Sequence, residues 1–570
     1  MKRVSTDRTG AGSAGLGAVA FLILAGGCGM ERPSDAATNE AVGGSVVIAA
    51  FAEPTSLLPP FVSQTSEKQI ADQIFDPLAE IGPDLNTLGD AGWTPRLARA
   101  WHWSADSLAI TFELNPAARW HDGVPVRAND VRFSWELYSD PAVAAHGAAN
   151  LQDVDSVSTR DSLTAVVWFR RRTPEQFFHL VSTLYVLPEH LLRGEDRRSL
   201  RHSAFAQRPV GSGPFRLVRW EPRSLIEIEA NTAYHLGRPL LDRVVWTLTP
   251  DPVTATSKLI AGDADFVEML NAEGLRRIGG VGHLRSVSYR GFTQGYLVFN
   301  MRSPREPLQP HPLFAGREMR VALTMALDRR TMLAAVLDSL GAPSFGPFTA
   351  AHFTADTTIP QIPFDTGGAN RLLDSLGWRQ RDRDGVRMRA GQRLEFSLLV
   401  PTSSLPRRRY AVMIQEQLRH VGVKVKVEEL DPSAMAPLMV TGKFDAALHA
   451  VQSEPSPSSI RDAWKSVQPG NRRMNVGAYS SPLVDALIDS ATSEFDRARA
   501  IRYYRRAYRA IVDDAPAVWL YELRPRAGVH VRIRTLADRA DTWWRDIRLW
   551  WIPPSERIDR DRLGLRVANR

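Results

Sequence analysis

The residues that could carry catalysis are few, and their spacing does not suit it. His121 and Asp122 are neighbours, and adjacent side chains of an extended chain point to opposite faces, so the two cannot converge on one atom. The segment Asp382–Gly385 begins like a calcium loop but lacks a third acidic position and a distal glutamate. The 13 histidines include no HExxH pair, the chain has no GxSxG elbow, and it has 1 cysteine. We therefore expect a binding protein without enzyme activity, cofactor or metal site.

Two short apolar and aromatic runs are the strongest candidates for a binding site. Tyr296–Met301 reads YLVFNM and Ala517–Tyr521 reads AVWLY, which is the composition of buried strands. We interpret them as two crossing segments between two lobes, with a hinge and a ligand cleft beside them. The candidate ligand-contacting residues of these runs are Tyr296, Asn300, Trp519 and Tyr521. Rigid aromatic side chains bury a ligand at low entropic cost, although two of these four residues could equally belong to the core.

Length and composition indicate a globular protein of more than one lobe. The chain has 570 residues, and single hydrophobic cores stop growing at about 250–300 residues. The fractions of hydrophobic residues, 44%, and charged residues, 24%, are ordinary for a soluble globular fold. The net charge of +8 comes from arginines spread along the chain rather than from a basic block, so we expect no nucleic-acid partner.

The amino terminus has the features of an export signal. Lys2 and Arg3 precede the short apolar run Leu16–Leu24, which is too short to span a membrane. Small residues then lead to the lone Cys28, as in bacterial lipoprotein signals, although Ala25 stands where leucine is usual. We predict a signal peptide over 1–27, lipidation of Cys28, a flexible tether over 28–44, and a membrane-anchored protein in the periplasm or at the cell surface. The alternatives are an ordinary signal peptide that is cut nearby and an apolar start that is not processed.

The order of predicted elements indicates an α/β fold. Ser45–Ala50 is a predicted strand and Ser66–Phe75 a predicted helix, with Ile70 and Ile74 on one face. Pro209–Phe215 is a glycine-rich turn that leads into another strand. Strands and helices alternate in this way to the end of the chain, as expected for separate α/β lobes.

A set of longer motifs follows one another in an order that resembles a known family. They are LARAWHWSADSLAITFELNPAARWHDGVPVRANDVRFSW (Leu97–Trp135), YVLPEHLL (Tyr185–Leu192), RPVGSGPFRLVRWEP (Arg208–Pro222), LIAGDADFVE (Leu259–Glu268), YLVFNM (Tyr296–Met301), EMRVALTMALDRRTML (Glu318–Leu333), LLDSLGW (Leu372–Trp378), IQEQLRHVGVKVKVEELD (Ile414–Asp431), GKFDAALH (Gly442–His449) and YSSPLVDALIDSA (Tyr479–Ala491). Together they resemble the extracytoplasmic solute-binding proteins of the peptide/nickel type, family 5, which serve ABC transporters.

The resemblance implies an α/β, two-lobed fold of the type II periplasmic-binding-protein class, with an extra subdomain in the first lobe. On this basis lobe I covers 45–300 and 517–570, its extra subdomain covers about 73–190, and lobe II covers 301–516. The implied partners are a peptide or other small solute and the ABC permease subunits in the membrane. The protein itself is expected to be a monomer with a lipid anchor.

The loop Val451–Pro457, which reads VQSEPSP, departs from the family pattern. In peptide-binding relatives this loop often carries a tryptophan and then an aspartate, which can hold the peptide amino terminus by a charge-assisted hydrogen bond. Here Val451 stands for the tryptophan and Glu454 for the aspartate, so recognition of a peptide amino terminus remains open, and Glu454 could equally be a solvated loop carboxylate. Further candidate ligand contacts are Gln452, Ser453, Glu454 and Trp464.

The resulting hypothesis is a substrate-binding lipoprotein of an ABC importer, which captures a peptide-like solute between two lobes and delivers it to the permease. One alternative is the same fold with a metal chelate, haem or sugar as its solute. A secreted hydrolase is a second alternative, and a cell-surface scaffold is a third.

Overall fold

The structure, a computed structural model, describes residues 41–467, 474–535, 539 and 541–565. The strands of this part of the chain are β1 (Ser45–Ala50), β2 (Ala79–Glu80), β3 (Thr94–Pro95), β4 (Ala98–Trp103), β5 (Ala109–Leu114), β6 (Val154–Asp161), β7 (Thr164–Phe169), β8 (Phe215–Glu221), β9 (Leu225–Ala230), β10 (Arg243–Leu248), β11 (Phe266–Val267), β12 (Leu284–Ser288), β13 (Thr293–Phe299), β14 (Gly341–Ala342), β15 (Gln380–Arg381), β16 (Arg387–Arg389), β17 (Gln392–Arg393), β18 (Glu395–Pro401), β19 (Lys424–Leu430), β20 (Ala446–Gln452), β21 (Ala517–Leu523) and β22 (Arg526–His530).

The helices of the same residues lie between these strands. In chain order they are α1 (Thr65–Ile74), α2 (Ala128–Ser139), α3 (Gln176–Thr183), α4 (Glu189–Leu192), α5 (Ala204–Gln207), α6 (Pro252–Ala261), α7 (Ala272–Ile278), α8 (Arg317–Met325), α9 (Arg329–Val336), α10 (Thr366–Ser375), α11 (Leu405–His420), α12 (Pro432–Thr441), α13 (Ile460–Trp464), α14 (Pro482–Ser493) and α15 (Arg497–Asp514).

The first lobe is built on a 7-stranded sheet with the order β12-β22-β11-β1-β10-β9-β8. Strand β1 lies inside this sheet and pairs in parallel with both β10 and β11. Its sequence, SVVIAA, is an almost continuous apolar run, as expected for a strand that is covered on both faces. A separate 4-stranded sheet, with the order β4-β5-β7-β6, lies within the predicted extra subdomain.

The second lobe is built on a 6-stranded sheet with the order β14-β21-β13-β20-β18-β19. Both runs that we interpreted as crossings, in β13 and β21, are interior strands of this sheet and pair with each other antiparallel. The chain instead crosses between the two sheets at residues 289–292 and 524–525, which follow β12 and β21. The predicted lobe boundaries at 300/301 and 516/517 therefore differ from the sheet boundaries, because an apolar run marks a buried strand and not a connector.

One close approach fixes how β13 and β21 pair. The ring of Tyr521 lies over Gly295, where an added Cβ atom would come within 2.1 Å of the ring carbon Cζ. A β-bulge between Gly295 and Tyr296 shifts the register at this point. Only glycine leaves room for the tyrosine ring here, so the two strands next to the crossings are held in one register.

The residues nearest the described amino terminus are bound to the first lobe. Ala41 is buried, and the backbone N–H of Gly43 donates to the carbonyl of Leu240 at 2.7 Å. Residues 41–44 were predicted to belong to a flexible tether, and the structure places them against the lobe instead because their backbone groups find partners there. Residues 1–40, with the predicted signal peptide and Cys28, lie outside the described residues.

The carboxyl-terminal segment returns to the first lobe through a buried ion pair. Arg532 donates from Nε to Asp265 at 3.0 Å and from Nη1 to Asp561 at 2.5 Å. Asp561 also accepts a hydrogen bond from the backbone N–H of Ser45 at 2.9 Å, at the start of β1. All three charged side chains are buried, so this network ties the last described segment to the central strand of the lobe.

Helix α1 is held in place by the glycine-rich turn at residues 209–215. A Cβ atom on Gly211 would come within 1.8 Å of the carbonyl oxygen of Ile74, and one on Gly213 within 2.6 Å of that of Gln73. The backbone N–H of Gly213 donates to the Ile74 carbonyl at 2.8 Å, near the end of α1. The turn therefore packs backbone against backbone and fixes the position of the helix.

The two lobes also touch away from the crossings. Glu175 of the extra subdomain accepts hydrogen bonds from the hydroxyl of Ser456 at 2.8 and 2.9 Å, and from that of Thr87. Leu88 is 5% exposed and packs into the core of the second lobe. Arg497 of α15 reaches Asp84 at 3.4 Å. This surface, formed by residues 84–88 and Glu175 on one side, is called the inter-lobe contact below.

The glycine turn gives the first prediction. Gly211→Ala should lower the free energy of unfolding by about 1–3 kcal/mol or more, because the new methyl group must displace the Ile74 carbonyl. Gly194→Ala is the matched control, since a Cβ atom there would meet nothing within 4 Å. Thermal denaturation followed by circular dichroism measures both variants. Equal midpoints for the two variants would contradict the close approach.

The inter-lobe contact gives the second prediction. Glu175→Ala removes the shared acceptor of two hydroxyl groups, and a buried polar group left without its partner costs about 1–3 kcal/mol. We expect small-angle X-ray scattering to show a larger radius of gyration for this variant than for the wild type. Glu136→Ala, which removes a solvent-exposed ion pair with Arg132 in the same subdomain, should leave the radius unchanged. A wild-type radius for Glu175→Ala would refute the contribution of this contact.

Candidate functional site

A cavity of about 910 Å³ lies between the two lobes. The first lobe contributes the end of β1 and the start of α1, and the second lobe contributes residues 452–455. Both crossings, at residues 289–292 and 524–525, also reach its wall. This volume is near the upper end of the range of about 300–1,000 Å³ that is typical of small-molecule sites.

The first turn of α1 forms one polar wall of the cavity. Glu67, a buried residue in this turn, accepts hydrogen bonds from the backbone N–H groups of Ser63 at 2.7 Å and Gln64 at 2.9 Å. These bonds satisfy donors that a helix start would otherwise leave without a partner. As a result Ser63, Gln64 and Gln69 are presented to the cavity on a rigid support.

A network of charged and polar groups lies beside this wall. Lys68 Nζ lies 2.8 Å from Asp72 Oδ1 and donates to the Tyr185 hydroxyl at 2.7 Å. Tyr185 and the indole N–H of Trp544 donate to the two oxygens of Asp72, at 2.6 and 2.8 Å. Burial acts to raise the pKa of Asp72, but the charges of Lys68 and Arg545 outweigh burial and hold this pKa below its usual range. Lys68 is therefore neutralised within the protein.

An aromatic wall comes from the carboxyl-terminal segment. Trp543 lines the cavity and packs against Phe266, with ring centroids 4.3 Å apart, and against Trp550 at 5.8 Å. Tyr289, at the first crossing, lines the cavity as well, and its hydroxyl donates to the backbone carbonyl of Glu268 at 2.6 Å. These rings give a ligand a broad apolar surface.

Glu268 lies between these two aromatic residues, at the end of the motif LIAGDADFVE. Its carboxylate accepts a hydrogen bond from the side-chain amide of Gln69 at 2.8 Å. Burial raises the pKa of Glu268, and the opposing effects of the Trp543 indole and Gln69 do not cancel the rise. The carboxylate is thus partly desolvated at the cavity wall.

The second-lobe wall contains three of the predicted site residues. Gln452, Ser453 and Glu454 line the cavity. The backbone N–H of Ser453 donates to the carbonyl of Phe292 at 3.0 Å, which links this loop to the first crossing. The backbone carbonyl of Glu454 lies 3.1 Å from Nε2 of the buried His352, while its side chain is exposed. The loop is fixed through its backbone and through the Ser453 hydroxyl, which donates to the Phe292 carbonyl at 3.1 Å, while Gln452 and Glu454 are exposed.

The other predicted site residues lie in the core of the second lobe and do not line this cavity. The rings of Tyr296, Trp464 and Trp519 form one cluster, with centroids 5.2–5.9 Å apart. Asn300 is fully buried and donates to the carbonyls at residues 442 and 444. Tyr521 is 4% exposed and stacks on another tyrosine of the core. Tyr296, Trp519 and Tyr521 lie on strands that are covered on both faces. Trp464 at the end of α13 and Asn300 after β13 are buried in the same lobe, so none of the five has an open surface.

The aromatic and acidic residues of the first-lobe wall were not among the candidates predicted from the sequence. Glu268 and Tyr289 precede and begin the first crossing, and Trp543 belongs to a tryptophan pair near the end of the chain. The pair of tryptophans was a visible signal, but nothing local in the sequence places it opposite Glu268. Proximity of these residues arises only when the carboxyl-terminal segment folds back onto the first lobe.

Two searches of the described residues bear on other classes of site. Within 41–467, 474–535, 539 and 541–565, no three or more His, Cys, Asp or Glu residues lie together in a way that could hold a metal ion. None of the helices in this part of the chain combines the length and apolar character needed to cross a membrane.

Comparison with known proteins relates this architecture to a family. The family model described as Bacterial extracellular solute-binding proteins, family 5 Middle, matches residues 92–471. The Oligopeptide-binding protein AppA of Bacillus subtilis is 24% identical over 542 residues, which cover 93% of this chain and 97% of that protein.

Solved structures agree with the fold. The structure of Bacillus subtilis AppA in complex with a nonapeptide gives a TM-score of 0.69 at 24% identity and covers 90% of this chain and 99% of that one. The structure of NikZ from Campylobacter jejuni in complex with Ni(L-His) gives a TM-score of 0.71 at 21% identity, with 89% and 99% covered. The predicted two-lobed α/β periplasmic-binding-protein fold is confirmed. Because the family model also spans more than half of the residues, this chain belongs to the bacterial extracellular solute-binding proteins of family 5.

Proposed function

We propose that this protein is the substrate-binding lipoprotein of an ABC importer, located in the periplasm or at the cell surface. It captures a peptide-like solute between its lobes and delivers it to the permease in the membrane. The observation that carries this proposal is the cavity of about 910 Å³, which receives side chains from both lobes and both crossings. A site of this kind buries a ligand as the lobes come together.

The composition of the cavity wall supports the binding of an extended solute. Polar groups of the wall, such as Gln452, Ser453 and the first turn of α1, can accept or donate hydrogen bonds to an extended backbone. Trp543 and Tyr289 add apolar contact that tolerates different side chains.

Delivery to a permease requires that the ligand favour one arrangement of the lobes. A ligand shifts such an equilibrium only as far as its affinities for the two arrangements differ. Residues 452–455 and the start of α1 belong to opposite lobes, so a solute that contacts both stabilises the arrangement in which they face each other. The inter-lobe contact at Glu175 and Ser456 adds to that stability.

The name of the AppA relative and its nonapeptide complex support a peptide as the solute. A small metal complex is the second candidate, because NikZ, with a similar fold, holds Ni(L-His). The cavity is large enough for either class. A direct binding test with both kinds of ligand distinguishes a peptide from a small metal complex.

Peptide binding is the third prediction. A panel of two- to nine-residue peptides should include members that raise the thermal midpoint, because a ligand at 100 times its Kd stabilises the folded state by about 2.7 kcal/mol. Trp543→Leu should weaken the best peptide by about tenfold or more, since it removes an aromatic wall of the cavity. Trp168→Leu, an exposed tryptophan of the extra subdomain, is the matched control. Stabilisation by Ni(L-His) with no response to any peptide would refute the peptide assignment.

Lipid anchoring is the fourth prediction. Cys28→Ser should abolish incorporation of labelled palmitate and should move the exported protein from the membrane fraction to the soluble fraction, because the serine hydroxyl cannot form the thioether anchor. The wild type and a Ser34→Ala variant, changed in the same segment, serve as controls. Equal membrane recovery for Cys28→Ser and the wild type would argue against the anchor.

A further inference from the structure

Most ionisable side chains at the cavity wall have an oppositely charged partner within the protein. The pairs are Lys68–Asp72 at 2.8 Å, Arg539–Asp541 at 3.0 Å and Arg545–Glu80 at 3.6 Å. Each of these cations lies beside a carboxylate, and Glu80 is shared with Arg539 at 3.5 Å and with Arg96 at 3.4 Å, so these groups offer a ligand hydrogen bonds more than charge. The charge of the solute that the cavity prefers therefore depends on the lining side chains that lack an oppositely charged partner.

Three cavity-lining charges remain without such a partner: Glu268, Glu454 and Arg290. Over the part of the chain that the structure describes, no lysine, arginine or histidine nitrogen lies within 4.0 Å of either glutamate carboxylate. Glu454 and Arg290 are exposed, and water and salt screen their charges. Glu268 differs from both because it is partly buried, at a wall that Tyr289 and Trp543 also line.

The surroundings of Glu268 favour a positively charged partner. Gln69 supplies a single neutral hydrogen bond at 2.8 Å, which does not balance the charge. The Trp543 indole is the other neutral donor near the carboxylate, and together with Gln69 it does not cancel the effect of burial on the pKa of Glu268. Charge interactions are stronger in a partly desolvated site than in water, and aromatic rings attract cations as well.

We propose that Glu268 binds a positively charged group of the solute, an ammonium or a guanidinium, and thereby selects cationic peptides. The inference rests on the proposed function, and it locates the charge recognition on the first lobe, at the end of β11, rather than on the loop at Glu454. The cation can come from a free amino terminus or from a basic side chain. Either cation can pair with the Glu268 carboxylate, and peptides that carry only one of the two distinguish between them.

The experiment is isothermal titration calorimetry of the full-length chain with matched probes. Ala-Ala-Ala carries its cation at the amino terminus, N-acetyl-Ala-Lys-Ala carries it on a side chain, and N-acetyl-Ala-Ala-Ala carries none. We expect at least one of the two peptides that carry a cation to bind the wild type tenfold or more tightly than N-acetyl-Ala-Ala-Ala, which shares the terminal carboxylate but has no cation. In Glu268→Gln this preference should fall to less than threefold, because the amide keeps the shape and the contact with Gln69 but not the charge.

Glu136→Gln, at an exposed ion pair of the extra subdomain, is the matched control. Glu454→Gln removes the other unpaired carboxylate, from the opposite wall, and should retain the preference even if it changes the affinity for all three peptides. Glu268→Asp, which keeps the charge on a shorter side chain, should restore part of it. Equal binding of all three peptides by the wild type would overturn the inference, as would loss of the preference in Glu454→Gln with retention in Glu268→Gln.

Agmatine, a small dication that is not a peptide, separates this inference from the proposed function. If no peptide binds but agmatine binds in a manner that Glu268→Gln abolishes, the cation site stands and the peptide assignment falls. If some peptides bind without regard to charge, the peptide assignment stands and the cation site falls. If neither peptides nor agmatine bind the wild type, both are overturned.

Discussion

The pairing of β13 with β21 is the constraint on which the arrangement of the two lobes depends. Each strand adjoins a crossing between the lobes, and their antiparallel pairing makes the two crossings run side by side. The close approach of Tyr521 to Gly295 admits one register only, so the crossings cannot slide past each other. A pair of short neighbouring connectors permits rotation of the lobes while keeping their faces opposed, which is what a cleft between them requires.

The cavity combines buried charges with little net charge. Asp72 accepts from Lys68, Tyr185 and Trp544, so a lysine at the cavity wall does not attract an anion of its own accord. Buried charges are tolerated when they are paired and hydrogen-bonded, and the pairs also hold neighbouring side chains in place. Because the paired groups contribute structure, the few unpaired groups determine selectivity. Glu268 stands out on this account, since its partial burial strengthens the interaction of its carboxylate with a cation, whereas solvent screens the exposed Glu454.

Much of the fold could be predicted from local pattern, and the site could not. The strand at Ser45–Ala50 and the helix Pro252–Ala261, which ends at Gly262 with positive φ, follow directly from apolar runs and a glycine stop. The loop Gln452–Glu454 was placed at the cavity by resemblance to relatives. In contrast, Trp543 comes close to Glu268 only because the carboxyl-terminal segment folds back onto the first lobe. The periodicity of apolar residues does not predict such a long-range contact. Tyr296 lies in the core of the second lobe and not at this cavity. The sequence could not distinguish the two positions, since an aromatic residue on an apolar strand looks the same whether it faces a core or a ligand.

The loop at 451–457 shows how one segment can divide structural and binding roles. From the family pattern, relatives are expected to use an aspartate here to hold a peptide amino terminus. In this chain the corresponding residue is Glu454, and it is exposed. Two residues further on, Ser456 is buried and bonded to Glu175 of the opposite lobe. The loop thus contributes to the contact between the lobes through a hydroxyl, while a carboxylate of greater electrostatic strength lies across the cavity at Glu268. A solute held between these walls would meet hydrogen-bonding groups from the second lobe and charge from the first, so both lobes are needed for tight binding.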